Sequence, residues 1–198
     1  MDSLFHFVFP IIAVLAARVN TKHIIKATVA AAAVAVLLDL DHFIGLERAL
    51  LHNVFVTILL PLVLLFLSFH FRTNKYVKGF FLLLLIFLSS HVMLDLFTNP
   101  IFGTNIGISE GSGVALFYPL SNVKYSINFN ILIPIRTGYP QQTVEDYIVS
   151  SLGFGILIYF IVIIMPCLFL DDIIDIAEKK HERFRKAANE FFRNVIKD

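Results

Sequence analysis

Five stretches of this chain are apolar over nearly the length needed to cross a lipid bilayer, and no other feature limits its fold as much. They run roughly Leu4–Val19, Ile24–His42, Asn53–Phe71, Val77–Phe97 and Tyr147–Leu170. A spanning helix needs ~20 residues at ~1.5 Å rise each. The fifth is the cleanest, whereas His6 and Asp39 interrupt the first two. Composition agrees: 58% of the 198 residues are hydrophobic and 16% charged, with a mean hydropathy of +0.80. A soluble domain carries about 25% charged residues. The chain therefore reads as an all-α integral membrane protein with five transmembrane helices, at home in the cell membrane. Met1-Asp2-Ser3 lacks the basic start of a cleavable signal, so the first stretch is expected to stay in place as a helix.

Basic residues predict the orientation, because cytoplasmic loops collect Lys and Arg. Arg18, Lys22 and Lys26 flank the first turn, and Arg72, Lys75 and Lys78 flank the third. Seven more lie from Lys179 onward, which leaves only Arg48, Lys124 and Arg136 of the sixteen for the other side. The expected arrangement is multi-pass, N-terminus outside and C-terminus cytoplasmic. Residues 1–170 would form the transmembrane domain, and residues 171–198 a cytoplasmic amphipathic helix. In that helix Ile173, Ile176, Phe184, Ala187, Phe191 and Val195 recur at helical spacing opposite a basic face. Such a helix rests on an anionic leaflet, making membrane lipids the expected partners. Near-equal counts of acids and bases (fifteen and sixteen) exclude nucleic-acid binding driven by bulk charge. The single cysteine, Cys167, excludes a disulfide framework.

Residues 98–146 are expected to form an extracytoplasmic loop. Tyr125, Ile127, Phe129, Ile131, Ile133 and Ile135 alternate with Ser126, Asn128 and Asn130, the period-two pattern of a strand. Asn99-Pro100, Gly111-Ser112-Gly113 and Gly138-Tyr139-Pro140 read as turns. A small extended or hairpin element lying on the outer face is the expectation.

The ionisable residues of the spans carry the chemistry. His6, Asp39, Asp41, His42, His52, His91 and Asp95 all fall toward the outer ends of four helices. His91 and Asp95 share a helix face at a spacing of four, as do Asp39 and His42 at three. Asp41 lies about 200° round from Asp39 and needs the helix end to reach the same place. One carboxylate at the bilayer centre costs ~2.5–3.5 kcal/mol on insertion scales. Three of them among four histidines point to a cation, and the mixed donor set suits zinc, iron or manganese, with ligands enough for one or two ions.

Three segments then carry a resemblance. Asp39-Leu40-Asp41-His42, Glu47-Arg48-Ala49-Leu50-Leu51-His52 and Ser90-His91-Val92-Met93-Leu94-Asp95 resemble, in this order, the segments of the LexA-regulated, membrane-bound, metal-dependent hydrolase family. That family has Pro-Asp-x-Asp-His, His-Arg-Gly-x-Thr-His and Ser-His-x-x-x-Asp. His6 matches its early histidine, and Leu116-Phe117-Tyr118-Pro119 its later proline after an apolar stretch. Leu38, Glu47, Ala49 and Leu51 depart from the pattern. The family is in turn distantly similar to zinc-dependent phospholipase C. The resemblance implies metal-dependent hydrolysis of phosphoesters, on an amphiphilic substrate such as a phospholipid or lipid-linked phosphate. Asp39 or Glu47 would serve as general base, and Arg48 or Arg136 would hold a phosphate oxygen. The alternative is a non-enzymatic membrane protein, a metal-stabilised scaffold or ion transporter. A transporter places its polar groups near the midplane, and this cluster lies to one side.

Overall fold

The computed structural model describes residues 3–16, 22–45, 48–97, 105–136 and 143–195. Its helices are α1 (Ser3–Ala16), α2 (Lys22–Val36), α3 (Leu60–His70), α4 (Lys75–Leu96), α5 (Ser151–Leu168) and α6 (Leu170–Val195). Strands β1 (Asn105–Val114), β2 (Tyr125–Arg136) and β3 (Thr143–Val149) separate α4 from α5.

Helix α4 is the axis of the bundle, with α2, α3 and α5 packed around it and α1 lying against α2 and α5. Ala31, Ala32 and Ala35 are fully buried on α2, and their small side chains permit close approach of the helices. Gly155 does the same for α5, since a Cβ there would lie 2.6 Å from Phe97 Cβ. The outer surface is apolar. Leu157, Ile161, Met165 and Leu168, successive on one face of α5, are all exposed, as are Leu59, Leu62, Val63 and Phe66 around α3. This inversion is what a lipid solvent allows.

Of the five expected spans, two coincide with helices long and apolar enough to cross a membrane among the described residues, α4 with 22 residues and α5 with 18. The others differ for local reasons. Helix α1 has 14 residues, or ~21 Å of rise. Helix α2 does not continue to His42 but tightens into a 3-10 segment, Leu37–Ile44, closed by Gly45 at φ 73°. The third stretch opens with a π-helical turn, Phe55–Leu59, just ahead of Pro61. Proline lacks an N–H and clashes with the preceding turn, and the wider turn accommodates it.

The insertion between α4 and α5 is more than a hairpin. Three antiparallel strands run in the order β1-β2-β3. Strand β1 pairs with the first half of β2, Tyr125 to Asn130, and β3 pairs with the second, Ile131 to Arg136. Two expectations are corrected here. Gly111-Ser112-Gly113 is no turn; it is the irregular end of β1, where Gly113 at φ 101° sits so close to Tyr125 that a Cβ would lie 2.0 Å from its carbonyl oxygen. Tyr147 belongs to β3, so the last spanning helix starts at Ser151. Asn99-Pro100 and Gly138-Tyr139-Pro140 lie outside the described residues.

The sheet is tied down at both ends. Ala115 N–H donates to the Arg48 carbonyl and Val54 N–H to the Leu116 carbonyl, both at 2.9 Å. At the other end Ser151 N–H and Oγ donate to Asn130 Oδ1 at 2.8 and 2.9 Å. Helix α6 returns to the opposite end of α4, where Lys75 pairs with Asp171 at 3.0 Å and Lys78 with Glu178. The α3–α4 turn and the start of α6 thus share one end of the bundle. On α6 Leu170 and Ile174 are buried, while Ile176 and Phe184, on the apolar face expected to rest on the leaflet, are exposed.

Candidate metal centre

The ionisable residues meet where α1, the 3-10 segment, the loop before α3 and the far end of α4 converge. The 3-10 segment explains how Asp39 and Asp41 both arrive. At 3.0 residues per turn they project about 120° apart, and they approach His52 from opposite sides. Asp41 Oδ2 lies 2.7 Å from His52 Nδ1, while Asp39 Oδ1 lies 3.8 Å from His52 Nε2.

Four donor atoms gather on the Nε2 side. His52 Nε2 and His91 Nε2 are 3.2 Å apart. Asp95 Oδ2 is 3.2 Å from the former and 3.7 Å from the latter; Asp39 Oδ1 is 3.4 Å from His91 Nε2. Donors around a tetrahedral zinc at ~2.0–2.1 Å stand roughly 3.3 Å from one another. The separations of 3.2 to 3.8 Å within Asp39–His52–His91, and of 3.2 to 3.7 Å within His52–His91–Asp95, fit that spacing. Asp41 behind His52 has the form of a carboxylate that fixes the tautomer and aim of a metal-binding imidazole.

A second group adjoins the first. His6 Nε2 lies 3.6 Å from Asp95 Oδ1, and its ring stacks on His91 with centroids 3.7 Å apart. His6, His91 and Asp95 form one group with metal-ligand spacing, and Asp39, His52 and His91 another; in each the donor atoms lie within 4.8 Å of one another. His6, Asp41, His52, His91 and Asp95 are all essentially buried, and Asp39 is nearly so. The group that opens outward is Arg48, whose side chain is 19% exposed and whose NH2 lies 3.7 Å from Asp95 Oδ1.

Six expected residues are thus brought together with Arg48. Glu47 lies outside the described residues, as do the side chains of His42 and Arg136. Two contributors were not among the expected set. Asn53 clamps the loop that carries Arg48 and His52: its Nδ2 donates to the Leu50 carbonyl at 2.6 Å and the Ala49 carbonyl at 3.2 Å, and its Oδ1 accepts from Val56 N–H at 3.0 Å. An Asn opening an apolar helix is a capping signal, and that signal was available. Tyr159, wholly buried on α5, hydrogen-bonds Ser90 beside His91. Nothing in its apolar run distinguished it.

Residues 1–170 match the family model of the YdjM inner membrane protein. The chain belongs to this family. The match spans α1 to α5 with the sheet and all seven expected ligands, and it establishes a membrane protein. It agrees with the LexA-regulated membrane family that the three segments resemble. No curated protein and no solved structure matches the chain.

Proposed function

We propose that this protein is a membrane-embedded, metal-dependent hydrolase acting on phosphoesters of amphiphilic substrates. The observation that carries the reading is that His52 Nε2 and His91 Nε2 stand at ligand spacing from each other and from both Asp39 Oδ1 and Asp95 Oδ2, with Asp41 behind His52. Soluble or structural reasons do not account for three carboxylates at the ends of apolar helices, where each is costly.

Zinc suits the mixed His and Asp donors best, with manganese or iron as alternatives, and His6 with Asp95 Oδ1 offers ligands to a second ion. A bound ion would supply Lewis acidity and activate water near neutral pH. The chain's own groups do the rest. Asp41 accepts the His52 Nδ1 proton, which leaves Nε2 as the donor atom. Arg48 presents a partly exposed guanidinium at the rim, suited to a phosphate oxygen. Glu47, next to it in sequence, is the spare carboxylate for general-base work. The end of β1, tied to the backbones of Arg48 and Val54, braces the loop that carries His52.

The same reading has five membrane-crossing segments, with α1, α2 and α3 completed by their flanking turns. The N-terminus is outside, the C-terminus is cytoplasmic and the centre lies at the outer lipid boundary, where an amphiphile reaches Arg48 from the headgroup layer. Metal analysis of the detergent-purified protein, with phosphodiester and phospholipid hydrolysis, tests it. The expected result is a stoichiometric ion and turnover, both lost in His91→Ala. An ion without turnover on any substrate means a metal-stabilised scaffold, and folded protein without metal removes both readings.

A further inference from the structure

At the other end of α4 is a second polar site, separate from the metal centre. Lys78 and Asp95 are seventeen residues apart on one helix, or ~26 Å. Here a cavity of about 290 Å³ opens between the α3–α4 turn and α6, lined by Phe69, Arg72, Lys78, Glu178, His181, Glu182 and Arg185. That volume is at the lower end of small-ligand sites.

The charges around it are unequally committed. Lys78 is buried, paired with Glu178, and its Nζ lies 5.3 Å from the Phe69 ring centroid. Arg72 and Arg185 make no ion pair among the described residues, and His181 Nε2 is buried without a hydrogen-bond partner. His181 is held edge-on to Phe66, centroids 5.6 Å apart, which fixes its ring at the cavity wall. Of the two acidic groups that line the cavity, Glu178 is paired with Lys78 and Glu182 is exposed.

Arg72 is also in an unusual place. Thr73 N–H donates to the Ser68 carbonyl and Arg72 N–H to the Phe69 carbonyl, so α3 ends in a Schellman turn with Arg72 at φ 52°. Glycine is the ordinary residue at that position, because an L side chain is strained there. The cavity therefore has an arginine where the backbone favours glycine.

We propose that this cavity binds a phosphate group at the membrane boundary, with Arg72, Arg185 and His181 as its donors. Guanidinium forks suit phosphate oxygens, and basic pockets between helix ends hold the headgroups of anionic lipids. Phe69 at the wall, and Phe66 against the His181 ring, lead into the apolar surface of α3, on the path that the tails of such a lipid would take.

The test uses the full chain in dodecyl maltoside. Short-chain phosphatidylglycerol, phosphatidylcholine and inorganic phosphate are titrated separately, and bound adducts are read by native mass spectrometry. Phosphatidylglycerol should bind, and Arg72→Gly with Arg185→Gln should weaken it at least ~10-fold, two charge-assisted contacts being lost. Arg183→Gln, exposed and off the cavity, should leave it unchanged. Arg72→Gly relieves the backbone strain, so an undiminished melting temperature in that variant separates lost binding from lost folding. Binding of inorganic phosphate with the same variant dependence upholds the site with a soluble phosphate as its source. Equal binding by all variants, an equal loss in Arg183→Gln, or no preference over phosphatidylcholine overturns the proposal.

Discussion

Asp41 illustrates how one atom's place changes a residue's role. By sequence it is a ligand among seven; in the structure its Oδ2 lies on Nδ1 of His52, on the ring nitrogen opposite the one that meets His91, Asp39 and Asp95. An orienting carboxylate of this kind tunes an imidazole without touching the ion, and its loss costs ~10–100-fold in metal affinity. Asp41→Asn should therefore still bind metal stoichiometrically, more weakly by about that factor, whereas His91→Ala should not bind it at all. Competition against a fluorescent zinc chelator measures both, and complete loss in Asp41→Asn would make it a ligand instead. Acids and imidazoles in apolar helices were legible in the sequence because their burial is expensive, so they appear only where something repays the cost. Asn53 and Tyr159 were not, because amides and phenols are common at helix starts and in apolar runs, and only the fold discloses what they touch.

Helices were legible where apolar runs are long and unbroken, as in α4 and α5. The 3-10 and π turns were not, since periodicity over five to eight residues does not separate helical pitches. Yet those turns set the site: the first turns Asp39 and Asp41 to within about 120° of each other, and the second follows the loop bearing His52. Strand β2 was readable from its alternation, whereas β1 hides behind glycines and β3 behind Glu145-Asp146. The element most dependent on one small residue is α5. Gly155→Ala would drive a methyl to 2.6 Å from Phe97 Cβ and 2.8 Å from its Cγ. Overpacking of this sort costs typically ~1–3 kcal/mol, and Phe97 follows directly on the α4 turn that holds Asp95. A lowered melting temperature with weakened metal binding is the expected outcome. An unchanged melt would mean that α4 and α5 have freedom to separate there.

Across the whole molecule, the centre is the point where separate elements are joined: Asp39 from the 3-10 segment after α2, His52 from the loop before α3, His91 and Asp95 from α4, and His6 from α1. An ion held by these groups acts as a cross-link present only in the folded state. It stabilises by ~2.7 kcal/mol at a hundredfold excess over its dissociation constant. A chain of this size shifts by roughly 2–4 °C per kcal/mol, so chelation should lower the melting temperature by about 5–10 °C. Without the ion, three buried carboxylates are left facing the imidazoles and, among the described residues, the guanidinium of Arg48. The chain has no tryptophan, so the melt is followed by circular dichroism, with and without EDTA. His91→Ala should melt low in both conditions and show no further response to chelator. Equal melting of the parent protein with and without EDTA would mean that these elements are held by packing alone, and that the gathered acids and imidazoles do not bind the fold together through a metal.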